Sequence, residues 1–170
     1  MGGFADYAPN VSRQPKAVMT TRKALHHDLR SVLDIERDSG RQANAASLER
    51  AISDPHRLVL VAETHEQIIG WAKTHYWDHS DGPAPAGHYL GGLTVAPLWR
   101  RQGVAAELTT LRLNWIRQHA GKAWYVVHAN NRASIELHQK WGFKEVARAP
   151  IFHTLQFTGG VGLLLRADLT

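Results

Sequence analysis

Along the 170-residue chain the period of apolar and polar positions switches repeatedly between two and about three and a half, the signatures of strands and helices. Residues 57–63 carry Leu58, Val59, Leu60, Val61 and Ala62 without interruption, as a buried strand does. After a turn at 64–66, residues 67–77 set Ile69, Trp71, Lys73, His75 and Trp77 on one face, with Ile68, Gly70, Ala72, Thr74 and Tyr76 on the other. The two segments predict an antiparallel hairpin. Before them, Leu25, Leu29, Val32, Leu33 and Ile35 have mostly helical spacing, which predicts a helix over 23–38 stopped near Gly40. Asn44 or Ser47 caps a second helix that ends before Asp54-Pro55.

The second half continues the alternation. Residues 88–96 read as a strand and 102–119 as a helix, with Val104, Leu108, Leu111 and Trp115 as its apolar stripe and Gly121 as its stop. Residues 122–128 form another apolar strand, parallel to 88–96 by the crossover rule. A short helix at 131–140 and strands at 143–148 and 161–166 complete the chain; 78–87 and 151–160 read as loops. With a first strand at 17–21 the order is β-α-α-β-β-β-α-β-α-β-β, an α/β (α+β) architecture. Residues 1–16 lack periodicity and predict an extended or mobile arm, leaving 17–170 as a single domain.

Composition narrows the chemistry. The chain has no cysteine, which excludes disulfides, thiolate metal sites and a cysteine nucleophile. No run approaches the ~18 apolar residues of a membrane span, and no apolar signal segment opens the chain, so a cytoplasmic protein without a membrane partner is the expectation. A net charge of +5 fits a basic surface with one anion pocket. Lysines and arginines are dispersed with no run longer than two, which argues against a nucleic-acid tract. Eleven histidines are present, but apart from His75 and His79 none has ligand-like spacing, so no metal site is expected.

The densest chemistry lies at 91–105, Gly-Gly-Leu-Thr-Val-Ala-Pro-Leu-Trp-Arg-Arg-Gln-Gly-Val-Ala. A strand runs into a basic turn and then a helix, whose first backbone N–H groups lack intrahelical partners and carry partial positive charge. Gly103 keeps no side chain in the way, and Arg100 and Arg101 add cationic donors. A phosphate or pyrophosphate suits this junction. The segment lacks the Gly-Lys-Ser/Thr ending of the Walker loop and the spaced glycines of the dinucleotide fingerprint.

Arg-x-x-Gly-x-Ala after a strand ending Leu-x-Val-x-Pro resembles the acyl-CoA motif of the GNAT superfamily of N-acetyltransferases. Asn131-Arg-Ala-Ser-Ile-Glu-Leu-His-Gln-Lys-Trp-Gly-Phe143 resembles its second recurring segment. The element order matches that fold over roughly 17–169, with a mixed, mostly antiparallel sheet whose fourth and fifth strands splay. The resemblance implies acetyl-CoA as cofactor, with pantetheine along Leu93, Thr94 and Val95, and pyrophosphate at Arg100, Arg101, Gln102, Gly103, Val104, Ala105 and Ala106. Asn131 and Ser134 would complete the cofactor site. Asn131 is equally a plain helix cap.

Two positions depart from the family pattern. His138 stands where members carry a tyrosine that protonates the departing thiolate, and Gly91 where many carry a base glutamate. Histidine titrates near ~6.5, which suits acid and base work at neutral pH, so His138, His128 and His75 are the catalytic candidates. Glu36, Asp38, Trp77, Asp78 and Tyr89 are the acceptor-binding candidates, as an aromatic wall with carboxylates for a cation. The implied reaction is acetylation of a primary amine of a small molecule, an aminoglycoside-type antibiotic being one such acceptor. The alternatives are acetylation of a protein N-terminus, as in ribosomal-protein acetyltransferases with the same motifs, and a non-catalytic CoA-binding module. Homodimers are common in the family and are a further expectation.

Overall fold

The computed structural model describes residues 15–65 and 67–170. All but the last two residues of the arm expected over 1–16 lie outside the described residues. The strands are β1 (Thr20–Lys23), β2 (Val59–Thr64), β3 (Gln67–Trp77), β4 (Gly87–Val95), β5 (Lys122–His128), β6 (Lys144–Ala149), β7 (Ile151–Phe152), β8 (Leu155–Gln156) and β9 (Gly162–Asp168). The helices are α1 (Leu29–Asp38), α2 (Ala45–Ser53), α3 (Val104–Arg117) and α4 (Arg132–Gln139). Seven strands form one sheet in the order β1-β2-β3-β4-β5-β9-β6. β4 and β5 are parallel, as the crossover rule required, while the β1–β2, β2–β3, β5–β9 and β6–β9 ladders are antiparallel.

The described chain falls into two compact units, one of 15–75 with Gly91–Arg112, the other of Tyr76–Leu90 with Leu113–Thr170. In the first unit, the apolar faces of α1 and α2 lie on β2 and β3: Val32, Ile35, Leu48 and Ala51 pack with Val59, Val61 and Trp71. Each valine, isoleucine or leucine among them removed from water contributes roughly 1.5–3 kcal/mol. The helix expected over 23–38 begins later, because the Asp28 carboxylate takes the Leu25 N–H at 2.7 Å and closes a 3-10 turn at His26–Asp28. Arg22 holds that carboxylate at 2.7 and 2.9 Å, keeping its pKa below the usual range. Asn44 caps α2 by accepting from the Ser47 N–H at 2.9 Å.

In the second unit, Leu90, Leu113, Ile116, Val127, Phe143, Leu163 and Leu165 form the main core. A smaller cluster joins Ala84, Tyr89, Phe152 and Leu164. The expected loop at 151–160 contains the β7–β8 hairpin, whose two-residue strands are too short for a period of two to register in sequence. The apolar stripe expected on α3 is shifted. Val104 and Leu108 are buried as anticipated, but Leu111 and Trp115 are only half-buried, and Thr109, Arg112, Leu113 and Ile116 complete the buried face. No helix among the described residues is long and apolar enough to cross a membrane.

Candidate active site

In the first unit, β4 leads through Pro97–Trp99, a 3-10 turn, into a tight bend where Arg101 has φ 64° and Gly103 φ 87°. These left-handed residues turn the chain so that α3 opens at Val104, and its first helical bond is Glu107 N–H to the Gly103 carbonyl at 3.1 Å. The N–H groups of Val104, Ala105 and Ala106 precede that bond and are the natural anion donors. The approach is narrow: a Cβ on Gly103 would lie 3.3 Å from Lys16 Cγ.

Lys16 is held there because the Ala17 N–H donates to the Gln102 carbonyl at 2.9 Å. It brings an exposed ammonium-bearing side chain across the bend, from outside either sequence motif. Arg100 is anchored by the Val95 carbonyl at 3.3 Å and Ser39 Oγ at 3.4 Å, and Gln102 by the Leu98 carbonyl at 3.1 Å. Arg41, which sequence reasoning did not single out, reaches the Leu93 carbonyl at 3.4 Å and Thr94 Oγ1 at 3.3 Å. Thr94 and Val95 are buried, and Leu93 is half-buried.

Upstream on β4, Gly91 and Gly92 leave room for a neighbour on β3. A Cβ on Gly91 would lie 2.9 Å from Lys73 Cγ, and one on Gly92 3.5 Å from the Trp71 ring. Burial, and then the charge of Arg57, hold the Lys73 ammonium below the ordinary lysine range. His75 is half-buried two residues further along β3. Glu36 is buried in the packed face of α1, where its Oε1 accepts from Trp71 Nε1 at 2.9 Å. Asp38 is exposed and lies 3.4 Å from Arg37.

In the second unit, Asn131 caps α4, its side chain accepting from the Ser134 N–H at 3.3 Å. Ser134 Oγ is 2.5 Å from the Tyr125 hydroxyl and 3.5 Å from His138 Nδ1. His138 is buried and stacks on Tyr125 with centroids 3.9 Å apart. Its Nδ1 lies 2.7 Å from the Ser134 carbonyl, which can only accept, so the proton sits on Nδ1. His128 has the opposite tautomer, for its Nδ1 accepts from the Asn130 N–H at 3.0 Å. The Tyr125 hydroxyl had no sequence signal, since nothing local ties a β5 side chain to a helix cap nine residues on.

The aromatic candidates also belong to the second unit. Trp77 stacks on His153 at 4.2 Å, and Asp78 accepts from His79 at 2.7 Å while remaining open to solvent. Tyr89 is buried and donates to the Pro85 carbonyl at 2.6 Å; burial pushes its phenol pKa up. The ladder between β4 and β5 has two pairs, Tyr89 with Trp124 and Leu90 with Tyr125.

The chain matches the acetyltransferase (GNAT) family over residues 23–143, well over half its length. The chain belongs to this GNAT family. Like its relatives it is an acyltransferase that uses acetyl-CoA, and the Gly103 bend with its basic surround fits the phosphates of that cofactor. Among solved structures, it resembles the ribosomal-protein-S18-alanine N-acetyltransferase of Escherichia coli at 17% identity and TM-score 0.73, over 90% of this chain and 95% of that one. An N-acetyltransferase from Staphylococcus aureus Mu50 matches at 20% identity and TM-score 0.70, over 91% and 100%. Salmonella typhimurium yncA, solved with its cofactor acetyl-CoA, matches at 20% identity and TM-score 0.69, over 89% and 94%. At these identities the likeness is one of fold. No curated protein matches the sequence.

Proposed function

We propose that this GNAT protein transfers the acetyl group of acetyl-CoA to a primary amine of a small molecule. The observation that carries the reading is the continuous path in the first unit from Leu93–Val95 through the Gly103 bend to the start of α3. Acetyl-CoA supplies the acetyl group activated as a thioester. Backbone groups of Leu93 to Val95 receive its amide-bearing arm as an added strand, a role supported by the end of the β4–β5 ladder at Leu90. Arg100 to Ala106 receive the pyrophosphate. A backbone N–H at Leu93 or Val95 polarises the thioester carbonyl.

An aminoglycoside-type antibiotic belongs to the acceptor class. The carboxylates of the first unit favour a compact amine over such a polycation, because Glu36 serves Trp71, Asp54 pairs with Arg57 at 3.1 Å and Asp34 with Arg37 at 3.1 Å. Asp78 is the exposed carboxylate that would hold a cationic acceptor beside Trp77. Free thiol release from acetyl-CoA is measured against aminoglycosides, polyamines, amino acids and short peptides. An acceptor-dependent signal with a mass gain of one acetyl group is expected from small amines. Binding of acetyl-CoA without turnover on any of them would overturn the reading. A peptide N-terminus is the second reading, favoured by the fold match to an enzyme named for a ribosomal protein. Faster turnover of peptides than of small amines would select it.

The Lys16 stem over Gly103 adds a cation to the phosphate region from outside the family match. Lys16→Ala is expected to raise the acetyl-CoA Kd about fivefold in calorimetry at low salt, the difference shrinking as salt screens the charge. An unchanged Kd would remove Lys16 from the site.

A further inference from the structure

We propose that Lys73 is the group that takes the proton from the acceptor amine during acetyl transfer. The proposal rests on the acetyl-transfer reading above. Such transfer requires a nucleophilic nitrogen, and Glu36, the acceptor-binding candidate on α1, is buried and hydrogen-bonded to Trp71.

Lys73 is placed for the task by the two glycines of β4. With no side chain at Gly91 or Gly92, the lysine stem lies across the strand, its Cε 3.4 Å from where a Cβ on Gly91 would stand and 3.9 Å from that of Gly92. The next residues are Leu93 to Val95, which receive the donor's arm. The amine therefore lies over the strand that carries the donor, immediately upstream of it. Arg112 fixes the backbone beneath, donating from Nη1 to the carbonyls of Lys73 at 3.0 Å and Gly91 at 3.3 Å. Among the described residues the Lys73 ammonium has no hydrogen bond or ion pair.

The charged and titratable groups around Lys73 are Arg57 ahead of β2, Glu36 on α1, His75 on β3 and Arg112 on α3. Arg57 disfavours a second cation, Glu36 favours one, and burial disfavours the ammonium most. The balance lowers the Lys73 pKa and so favours the neutral amine more than at an exposed lysine. In the step itself the acceptor nitrogen attacks the thioester carbonyl carbon. The N–C bond forms, the C–S bond breaks and sulfur leaves with the bonding pair. The N–H proton passes to the Lys73 amine, and the resulting ammonium returns it to solvent.

Two variants and one labelling experiment test this. Lys73→Met keeps the apolar stem and Lys73→Arg keeps a cation that cannot act as a base. Both are expected to lower kcat at neutral pH about a hundredfold or more, with acetyl-CoA Kd within twofold by calorimetry. Their activity recovers only as pH rises toward the acceptor's own amine pKa, whereas the wild type gains activity at lower pH. Trace labelling of the wild-type protein with fluorodinitrobenzene, read by peptide mass spectrometry, is expected to show Lys73 reacting at lower pH than the surface lysines. A kcat within threefold of wild type in Lys73→Met at every pH, or labelling of Lys73 in step with the surface lysines, would overturn the proposal. Wild-type protein inert toward every amine would instead sink the acetyl-transfer reading, and this proposal with it, before any substitution is made.

Discussion

Gly103→Val is expected to weaken acetyl-CoA binding at least a hundredfold, a loss of roughly 3 kcal/mol. Two effects combine. At φ 87° an L side chain is strained, at a cost of about 1–3 kcal/mol. The valine methyls would also stand where the proposed phosphate would meet the first N–H groups of α3, and the new Cβ crowds Lys16 Cγ at 3.3 Å. The control is Gly159→Ala, at φ 71° with no other atom within 4 Å of the added Cβ. It carries backbone strain without touching the bend, so its melting temperature falls while its Kd stays at the wild-type value. Calorimetry and thermal melts on both variants separate a blocked cradle from general destabilisation. A Kd within threefold of wild type in Gly103→Val would remove the bend from the cofactor site.

Arg112→Leu is expected to lower stability by about 3 kcal/mol, which for a chain of this length is roughly 6–12 °C in Tm. Arg112 is 1% exposed, and its guanidinium is satisfied by the Lys73 and Gly91 carbonyls, the Leu108 carbonyl at 3.3 Å and Thr109 Oγ1 at 3.1 Å. Leucine approximately fills the space but leaves the carbonyls of Lys73 and Gly91 without this donor, and a buried acceptor stripped of its partner costs about 1–3 kcal/mol. Arg112→Lys recovers part of the loss, since one ammonium cannot reproduce the planar fork that reaches both strands. A Tm within 2 °C of wild type for Arg112→Leu would show that the two carbonyls find other donors.

Local physics was legible in the chain. The strand expected at 67–77 forms as Gln67–Trp77, and Asn44 and Asn131 cap the helices they precede, because period and capping depend on neighbours a few residues apart. The bend at Gly103 was legible for the same reason. The buried face of α3 was not, because a charged residue is ordinarily read as solvent-facing. Arg112 is buried only because carbonyls at 73 and 91, 39 and 21 residues away, are delivered to it. Glu36, expected to bind the acceptor, meets Trp71 35 residues away only through packing.

The order of the elements other than the β7–β8 hairpin, the family and the bend at Gly103 were thus determined by the sequence alone, through patterns that close within one turn or one strand. The tertiary structure decided which polar side chains meet: Lys73 with the bare surface of Gly91 and Gly92, Tyr125 with Ser134 and His138, Lys16 with Gly103. Those meetings depend on lateral strand pairing and on burial, which set the surroundings and ionisation of a side chain and which no local pattern of residues encodes.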